Sequence, residues 1–544
     1  MSNLSRRKAL RLLTLAAAAQ QLRPWRALAG GAPGLSGPLP NPGTGSHAPG
    51  PSGFPPIQEG PFQGTRASLQ AYELPGWFAN AKFGIWAHWG PQSAIEAGDW
   101  YARNMYRQGS DQYKYHLQRY GHPSQPGSGY KDTIPRWKAE RFDPDYLMGL
   151  YKRAGARYFM SMGAHHDNFD LWDSPYNRWN SVKMGPGKDI VGLWRDAARR
   201  HGLHFGISDH LWISPKWFSV SKGSDKDGPF AGKPYDGADP AFADLYGDDP
   251  TIFLDDLPWN EDTISETWKQ HWFQRIKDLI DRYEPDLLYC DGPIPFDTYG
   301  LNILAHLYNK SAVQHGGKPQ TVYTSKRRED SAIGTCAFDV ERGVVEAIWP
   351  RPWQTDTCIG DWHYNRATVG HYKTPKTIVD LLVDIVSRNG NLMLNFPLPA
   401  SGMLDSDELK VLEGITAWMA VNSDGIYDTR PWTIYGESPA VSAIKGDSSF
   451  NESKRKDLDE HDIRFTTKQG HLFAFFMGWP SGGEVLLPPL GRRRALLKGD
   501  IEHAELLGHG KVSFIRQEEG LKVILPPAPP CAYAYCVKLS GALS

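Results

Sequence analysis

Short apolar runs recur eight times between residues 82 and 396, and segments with helical periodicity separate several of them. Each run has the length of a buried strand and is too short for a helix. We predict strands at 82–89, 157–163, 204–208, 286–291, 320–325, 337–341, 352–357 and 391–396. Strands that alternate with helices in this way predict a (β/α)8 barrel, whose parallel strands close around one core.

Two of the intervening segments carry clear helix signals. Residues 266–283 place apolar and aromatic side chains on one stripe. A second helix has Thr374 as its N-cap and Pro375 at its first position, and its pattern ends at Asn389. The interval between the sixth and seventh strands is too short for a full helix, so we expect an irregular barrel.

The composition divides the chain into four segments. Residues 1–29 read as a signal peptide, and residues 30–70 as a linker, because eight glycines and eight prolines fall between positions 30 and 56. Residues 71–432 hold the predicted barrel. Residues 433–544 change to short alternating strands with Gly and Pro turns, which predicts a C-terminal all-β sandwich domain.

The N-terminal segment resembles a twin-arginine export signal. Arg6 and Arg7 precede a mild apolar stretch, and Ala27 and Ala29 supply the small residues of a cleavage site. We expect cleavage after Ala29 and a periplasmic or secreted protein. The apolar stretch is shorter than the roughly 20 residues that cross a bilayer, and no later run approaches that length. We therefore expect no membrane span.

Charge and cysteine content exclude several classes of protein. The 60 basic and 61 acidic residues give a formal charge of −1, so nothing favours binding to nucleic acid or an anionic membrane. Five cysteines without a Cys-x-x-Cys pair predict neither a disulfide framework nor a zinc ribbon. A bond between Cys531 and Cys536 is the alternative to two unpaired strand residues.

Polar and aromatic residues follow the predicted strands, where a (β/α)8 barrel carries its active site. Neutral hydrogen-bonding groups, aromatic rings and carboxylates together suit a polyhydroxylated substrate. The spacings His-x-His and His-Glu-x-x-His are missing, but histidines on separate strands could still converge on a catalytic metal. The residues are His88, Trp89, Asp99, Trp100, Tyr101, His165, His166, Asp209, His210, Asp291, Glu341, Arg342, Gln354 and Asp356.

Asp291 is the most informative of these residues, because it ends the apolar run LLYCD. A carboxylate at the end of a buried strand is costly unless it is paired or used in chemistry. Asp291 is therefore a candidate nucleophile or general base. The alternative is a side chain that only caps the following turn.

Several segments closely resemble glycoside hydrolase family 29, the α-L-fucosidases, in the expected order from about residue 74 to 432. These segments are WFANAKFGIWAHWGPQS, GDWYARNMY, AGARYFMSMGAHHDNFDLWDS, LLYCDGP, WQTDTCIGDWHYN, VSRNGNLMLNFPL and ITAWMAVNSDGIYDTRPW. The resemblance implies a barrel followed by a β-sandwich, a fucosylated glycan as substrate, and no need for a metal or other cofactor. It implies Asp291 as the nucleophile and His88, Trp100, His165, His166 and Arg342 as residues lining the fucose pocket.

The chain departs from the family at the acid/base, because Gln354 stands where many members have Glu. A retaining glycosidase needs a second carboxyl group, and Glu341, Glu346 and Asp356 are candidates. Asp356 shares a strand face with Gln354, but we favour Glu341 because it adjoins Arg342. The leading hypothesis is an exported α-L-fucosidase with a retaining mechanism. The alternatives are a catalytically weak sugar-binding protein or a hydrolase of a related L-configured sugar.

Overall fold

Residues 55–247, 263–438 and 449–543 are described by the computed structural model. The signal peptide and most of the predicted linker lie outside the described residues. Residues 55–70, the end of that linker, pack against the barrel. Phe62 is buried, and its backbone N–H donates to Asn309 Oδ1 at 2.9 Å. The packed region therefore begins before residue 71, where the sequence placed the boundary.

Eight parallel strands close into a barrel in sequential order, which confirms the predicted fold. The barrel closes where β1 pairs with β8, for example at Ile85 and Leu394. Nearly all strand residues are buried, since the interior is filled with side chains and helices cover the outside. The strands are β1 (Phe83–Ala87), β2 (Tyr158–Ala164), β3 (His204–Asp209), β4 (Leu287–Cys290), β5 (Val322–Ser325), β6 (Ala337–Glu341), β7 (Trp353–Cys358) and β8 (Gly390–Asn395).

Helices cover the barrel unevenly. Those before β3 are α1 (Arg66–Leu69), α2 (Gly76–Ala81), α3 (Tyr101–Asn104), α4 (Asp111–Tyr120), α5 (Tyr130–Thr133), α6 (Pro144–Arg153) and α7 (Ile190–Arg200). Those after β3 are α8 (Ser214–Trp217), α9 (Ala243–Tyr246), α10 (Glu266–Tyr283), α11 (Thr298–Gln314), α12 (Arg328–Ala332), α13 (Pro375–Ser387) and α14 (Ser406–Asn422). Residues 342–352, between β6 and β7, contain no helix, as the short interval predicted. Thr374 caps α13 by accepting from the N–H of Thr377 at 3.1 Å.

The C-terminal region forms two antiparallel sheets that enclose their own apolar core. One sheet has the order β14-β13-β17-β11-β10-β9 and the other β12-β16-β15. The predicted boundary at residue 433 falls inside β9, so the sandwich begins slightly earlier. The strands are β9 (Arg430–Glu437), β10 (Ile463–Lys468), β11 (His471–Phe476), β12 (Glu484–Leu487), β13 (His503–Leu506), β14 (Gly510–Lys511), β15 (Phe514–Arg516), β16 (Leu521–Ile524) and β17 (Tyr535–Ser540).

A buried ion cluster joins the two domains. Asp384 on α13 is fully buried and contacts Arg388 of the barrel, and it also pairs with Arg455 and Arg464 of the C-terminal region. These guanidinium groups outweigh the effect of burial and hold the pKa of Asp384 well below its usual range. The cluster fixes the C-terminal region against the β7–β8 side of the barrel.

All five cysteines are free, so Cys531 and Cys536 do not form a disulfide. In the described part of the chain, no helix is both long enough and apolar enough to cross a membrane.

Candidate active site

Asp291 follows β4 and lies at the mouth of the barrel. Its Oδ2 is 3.3 Å from His166 Nε2 and 3.2 Å from His210 Nδ1. Its Oδ1 accepts a hydrogen bond from the Tyr289 hydroxyl at 3.3 Å. Its backbone carbonyl accepts from Trp212 Nε1 at 2.7 Å. Both oxygens of the carboxylate are therefore held by neighbouring side chains. This arrangement favours a role in binding or catalysis over a side chain that only caps the following turn.

Glycine follows Asp291 for a steric reason. A Cβ atom on Gly292 would lie 2.7 Å from the indole of Trp212, closer than side chains approach one another. The same indole holds the Asp291 carbonyl. The pair Asp291-Gly292 thus lets Trp212 pack tightly beneath the carboxylate.

Glu341 ends β6 and faces the same mouth. In the pairing of β6 with β7, Asp339 lies opposite Gln354 and Glu341 lies opposite Asp356. Since residues two apart on a strand share a face, all four side chains point into the barrel, with Glu341 and Asp356 in the upper layer. Glu341 and Asp356 line the cavity at the mouth.

Lys326 follows β5 directly and lies among the carboxylates. Its Nζ is 3.7 Å from Asp291 Oδ1, 3.3 Å from Glu341 Oε2 and 3.3 Å from Asp356 Oδ1. It also contacts Asp339 at 3.1 Å. Burial lowers the pKa of Lys326, but the surrounding carboxylates outweigh it and raise that pKa well above its usual range. One ammonium group therefore contacts four acidic side chains.

The environments of Asp291 and Glu341 separate their pKa values. Burial raises the pKa of Asp291, but the hydrogen bonds from His166 and His210 and the charge of Lys326 outweigh it and hold the pKa well below its usual range. Burial raises the pKa of Glu341 to about 7, with the negative charge of Asp291 adding to the rise and Lys326 opposing it. At neutral pH Asp291 is therefore ionised, whereas Glu341 can carry a proton.

Five histidine rings cluster at the mouth, and three of them, His88, His165 and His210, line the cavity as a histidine wall. His88 and His165 lie 4.9 Å apart between ring centroids, and His363 lies 4.5 Å from His88. Burial lowers the pKa of His88, His165 and His210, so these rings are neutral at physiological pH. His88 Nδ1 and His363 Nε2 have no hydrogen-bond partner among the described residues. Neutral imidazoles in this arrangement can donate to or accept from sugar hydroxyls.

His166 is held differently from its neighbours. Its Nδ1–H donates to the backbone carbonyl of His210. Its Nε2 lies 3.3 Å from Asp291 Oδ2. His166 thus links the backbone carbonyl of His210, directly after β3, to the carboxylate of Asp291, directly after β4.

The cavity has a volume of about 310 Å³, which is the size of a small-ligand site. Trp100 stands in the left-handed conformation, with φ of 58°, and its ring meets His166 edge to face at 6.3 Å. Arg342, also left-handed with φ of 45°, turns the chain back into the mouth directly after β6. The lining residues are Trp86, His88, Asp99, Trp100, His165, His210, Tyr289, Asp291, Glu341, Arg342, Asp356, Trp362 and Phe450.

The structure brings together most of the side chains that the sequence singled out. His88, Trp100, His165, Asp291, Glu341 and Arg342 all line the cavity, and His166 contacts Asp291. Five other candidates do not line it, namely Trp89, Tyr101, Asp209, Glu346 and Gln354. Glu346 is exposed and does not line the cavity. Asp209 is buried behind the site, where it accepts from Trp272 Nε1 at 2.7 Å.

Gln354, at the family's usual acid/base position, lies below the cavity. It is fully buried in the barrel and does not line the mouth. Its Nε2 donates to Asp339 at 2.8 Å, and its Oε1 accepts from the Tyr158 hydroxyl at 3.0 Å. Gln354 is therefore a packed structural residue.

Sequence reasoning missed Lys326, Tyr289, His363 and Phe450. Lys326 had a usable signal, because it directly follows a predicted strand. Tyr289 lies within the run LLYCD, and only the barrel shows that its hydroxyl reaches Asp356, at 2.9 Å. His363 lies in the loop after β7 and pairs with Asp99 at 2.7 Å.

Two groups of side chains place ligand atoms close enough to share a metal ion. One comprises His88, Asp99, His165 and His363, and the other His165, His166 and His210. In both groups some of these atoms already have protein partners. His165 Nδ1, for example, lies 2.8 Å from Gln92 Nε2. That the reaction needs no metal stays a prediction.

Comparisons with known proteins agree with this geometry. A family model described as alpha-L-fucosidase matches residues 55–424, and one described as the alpha-L-fucosidase C-terminal domain matches residues 455–540. The tissue alpha-L-fucosidase of Macaca fascicularis is 27% identical over 491 residues, covering 87% of this chain and 90% of that protein. The plasma alpha-L-fucosidase of Homo sapiens is 27% identical over 506 residues, covering 89% and 93%.

A solved structure is similar over nearly its whole length. Thermotoga maritima alpha-fucosidase, in complex with a mechanism-based inhibitor, is 25% identical with a TM-score of 0.67. The match covers 88% of this chain and 99% of that one. The family models together span most of the described residues, and they include the barrel mouth with Asp291 and Glu341. The chain therefore belongs to glycoside hydrolase family 29, the α-L-fucosidases.

Proposed function

We propose that this α-L-fucosidase is an exported exo-acting enzyme that releases terminal fucosyl residues from glycans by a retaining double displacement. The observation that carries the proposal is the position of Lys326 Nζ, 3.7 Å from Asp291 Oδ1 and 3.3 Å from Glu341 Oε2. Two carboxyl groups within reach of one ammonium favour the roughly 5–5.5 Å spacing of retaining enzymes over the roughly 6.5–9.5 Å spacing of inverting ones.

In the first step, an oxygen of Asp291 attacks the anomeric carbon of fucose and forms a glycosyl ester. The bond from that carbon to the leaving oxygen breaks, and its electron pair stays on the oxygen. Glu341 gives its proton to the leaving oxygen, so the departing group leaves neutral. The low pKa of Asp291 and the pKa of about 7 of Glu341 suit these roles at neutral pH.

In the second step, water replaces the leaving group. The negative charge of Asp291 contributes to the raised pKa of Glu341. That charge is lost when Asp291 becomes an ester, so the pKa of Glu341 falls and its carboxylate can accept a proton from water. The water oxygen attacks the anomeric carbon, and Asp291 departs as a carboxylate. Two inversions restore the original anomeric configuration.

The fucose ring is expected to lie against the histidine wall. His88 and His165 supply neutral ring nitrogens for hydroxyl groups, and Trp100 supplies an apolar face. Arg342 adds a charged donor to the lining of the cavity. The cavity volume of about 310 Å³ supports recognition of one terminal sugar, as an exo-acting enzyme requires.

Two measurements test the mechanism. NMR during hydrolysis of an aryl α-L-fucoside should show α-fucose as the first product, whereas β-fucose would contradict retention. An activated 2-deoxy-2-fluoro-fucosyl donor should lose its leaving group and add the mass of its fluorofucosyl group to the peptide that contains Asp291. The sugar-binding alternative, first suggested by Gln354, would instead give sugar binding without turnover of a natural fucoside.

For export, we propose the twin-arginine route followed by cleavage after Ala29. Arg6 and Arg7 and the small residues before Gly30 support this route. Changing both arginines to lysine should retain the precursor in the cytoplasm, while the mature wild type should begin at Gly30. An unchanged level of exported protein in that double variant would contradict the proposal.

A further inference from the structure

A second cavity adjoins the sugar pocket and shares two of its walls. Its volume is about 340 Å³, within the range of ligand sites. Arg342 and Phe450 line both cavities. The other walls come from Lys373, from α13, and from Glu452, Ser453 and residues 455–458, which belong to the connection between β9 and β10 of the C-terminal domain. This cavity therefore lies beside the barrel mouth and is built by both domains.

Residues 450–452, in the connection between β9 and β10, are hydrogen-bonded to the end of β6, where Glu341 lies. The Phe450 N–H donates to the carbonyl of Glu341 at 2.8 Å, and the Glu452 N–H donates to the carbonyl of Arg342 at 3.0 Å. The Asn451 side chain accepts from and donates to the backbone of the loop after β6, at 3.1 and 3.0 Å. Four hydrogen bonds thus fix the position of this segment relative to Glu341.

Phe450 is the unusual residue of this segment. Its φ of 61° is left-handed, a conformation that costs free energy for a bulky residue. Its side chain is 59% exposed and joins none of the hydrophobic clusters formed by the described residues. Folding therefore gives no reason for an aromatic ring here, but a ring that lines both cavities can stack on a ligand that spans them.

The second cavity is lined by both apolar and charged side chains, and its charges largely neutralise one another. Lys373 pairs with Glu452 at 2.7 Å, and Arg455 pairs with the buried Asp384 at 2.5 Å. Asp380 pairs with Lys376 at 2.5 Å. A cavity of paired charges and hydroxyl groups with one exposed aromatic ring suits a neutral polyhydroxylated ring better than an anion.

We infer that the second cavity binds the pyranose to which the terminal fucose is attached, with Phe450 as its stacking face. This inference rests on the proposed function. A general acid must lie on the side from which the leaving group departs. Arg342, the neighbour of Glu341, lines the second cavity, and so does Phe450, whose N–H donates to the Glu341 carbonyl. A sugar that leaves past Glu341 would therefore enter this cavity. The C-terminal domain would then select which glycans the barrel cleaves.

The experiment compares a leaving group that fills the cavity with one that cannot. The Phe450→Ala variant should cleave the fucosyl disaccharide that the wild type prefers with a kcat/KM roughly tenfold lower, because it loses the stacking contact. Its kcat/KM for α-L-fucosyl fluoride should fall by a clearly smaller factor, because fluoride needs no sugar site and Phe450 then contributes only through its contact with the fucose pocket. Tyr146→Ala is the matched control, because Tyr146 is a half-exposed aromatic residue on α6 that lines neither cavity.

A second measurement uses the reaction in reverse. With fucosyl fluoride as donor and the leaving sugar as acceptor, the ratio of transfer to hydrolysis should fall in Phe450→Ala and stay constant in Tyr146→Ala. Equal effects of Phe450→Ala on both substrates, or no effect on either, would overturn the inference. A wild type that releases no fluoride at all would instead refute the proposed function, and this inference with it.

Discussion

Glu341 Oε2 lies 3.3 Å from Lys326 Nζ, and this contact joins the ends of β6 and β5 at the barrel mouth. Lys326 lowers the pKa of Glu341, while burial and Asp291 raise it, and the balance falls at about 7. A carboxyl group with this pKa can give up and regain a proton near neutral pH. The ion pair therefore sets the pH at which Glu341 can act as an acid.

Replacing Asp291, the proposed nucleophile, should abolish turnover while leaving the fold intact. Asp291→Gly removes the attacking oxygen, and such losses cost several orders of magnitude in rate. Added azide should restore turnover of an activated fucoside, because it can attack in place of Asp291 and give the inverted fucosyl azide. Near-normal activity of the variant without azide would refute the assignment.

Removing the acid should change the pH profile and the dependence on the leaving group. Wild-type kcat/KM should fall as pH rises through about 7, because Glu341 loses its proton there. Glu341→Gln should lose that alkaline limb. It should also slow cleavage of natural fucosides far more than of activated aryl ones, which hardly need protonation. Glu346→Ala, at an exposed position, is the control. A leaving-group effect in Asp356→Asn instead would move the role to Asp356.

Lys326→Met should shift both limbs of the pH profile of kcat/KM to higher pH. Lys326 lowers the pKa of both Asp291 and Glu341, so both values should rise when it is removed. The acidic limb then moves to higher pH because Asp291 ionises at higher pH. The alkaline limb also moves to higher pH, because Glu341 keeps its proton to a higher pH. The measurement is kcat/KM against pH on one substrate. The exposed Lys410→Met should leave the profile in place.

The sequence was enough to predict the barrel and the position of Asp291. Each strand is a short apolar run with a polar residue at its end, and barrel closure brings those ends together. Applying the same rule to the fifth strand would have found Lys326. Alternation along a strand did not by itself choose between Glu341 and Asp356. The β6–β7 register shows that both face inward and that Gln354 lies one layer below.

Phe450 could not be predicted from its local sequence. It lies far from Glu341 along the chain, in a connection of the C-terminal domain. Its place beside the mouth depends on how that domain docks, which is set by long-range contacts such as Asp384 with Arg464. Contacts of this kind leave no periodic pattern in a single sequence.

The domain junction should be sensitive to Asp384. Asp384→Asn would leave the buried Arg388, Arg455 and Arg464 without their common anion, and breaking a buried ion pair costs about 3–5 kcal/mol. We expect a clearly lower Tm at pH 7. Asp145→Asn removes a solvent-exposed ion pair with Arg200 and should leave the Tm unchanged. An unchanged Tm for Asp384→Asn would show that the cluster does not stabilise the junction.

Restoring glutamate at the family position should not improve this enzyme. Gln354 donates to Asp339 at 2.8 Å below the cavity, and burial together with Asp356 already raises the pKa of Asp339 well above its usual range. In Gln354→Glu, two buried carboxyl groups would meet, and the new one would also have a raised pKa. The loss of folding stability therefore begins above pH roughly 4.3, the pKa of a glutamate in the unfolded chain. It grows as the pH rises towards the pKa of Glu at position 354 in the folded protein. We expect a Tm deficit that widens between pH 4 and 7, with no gain in kcat/KM on a natural fucoside. Faster cleavage by Gln354→Glu would mean that position 354 reaches the leaving oxygen and that Glu341 is not the acid.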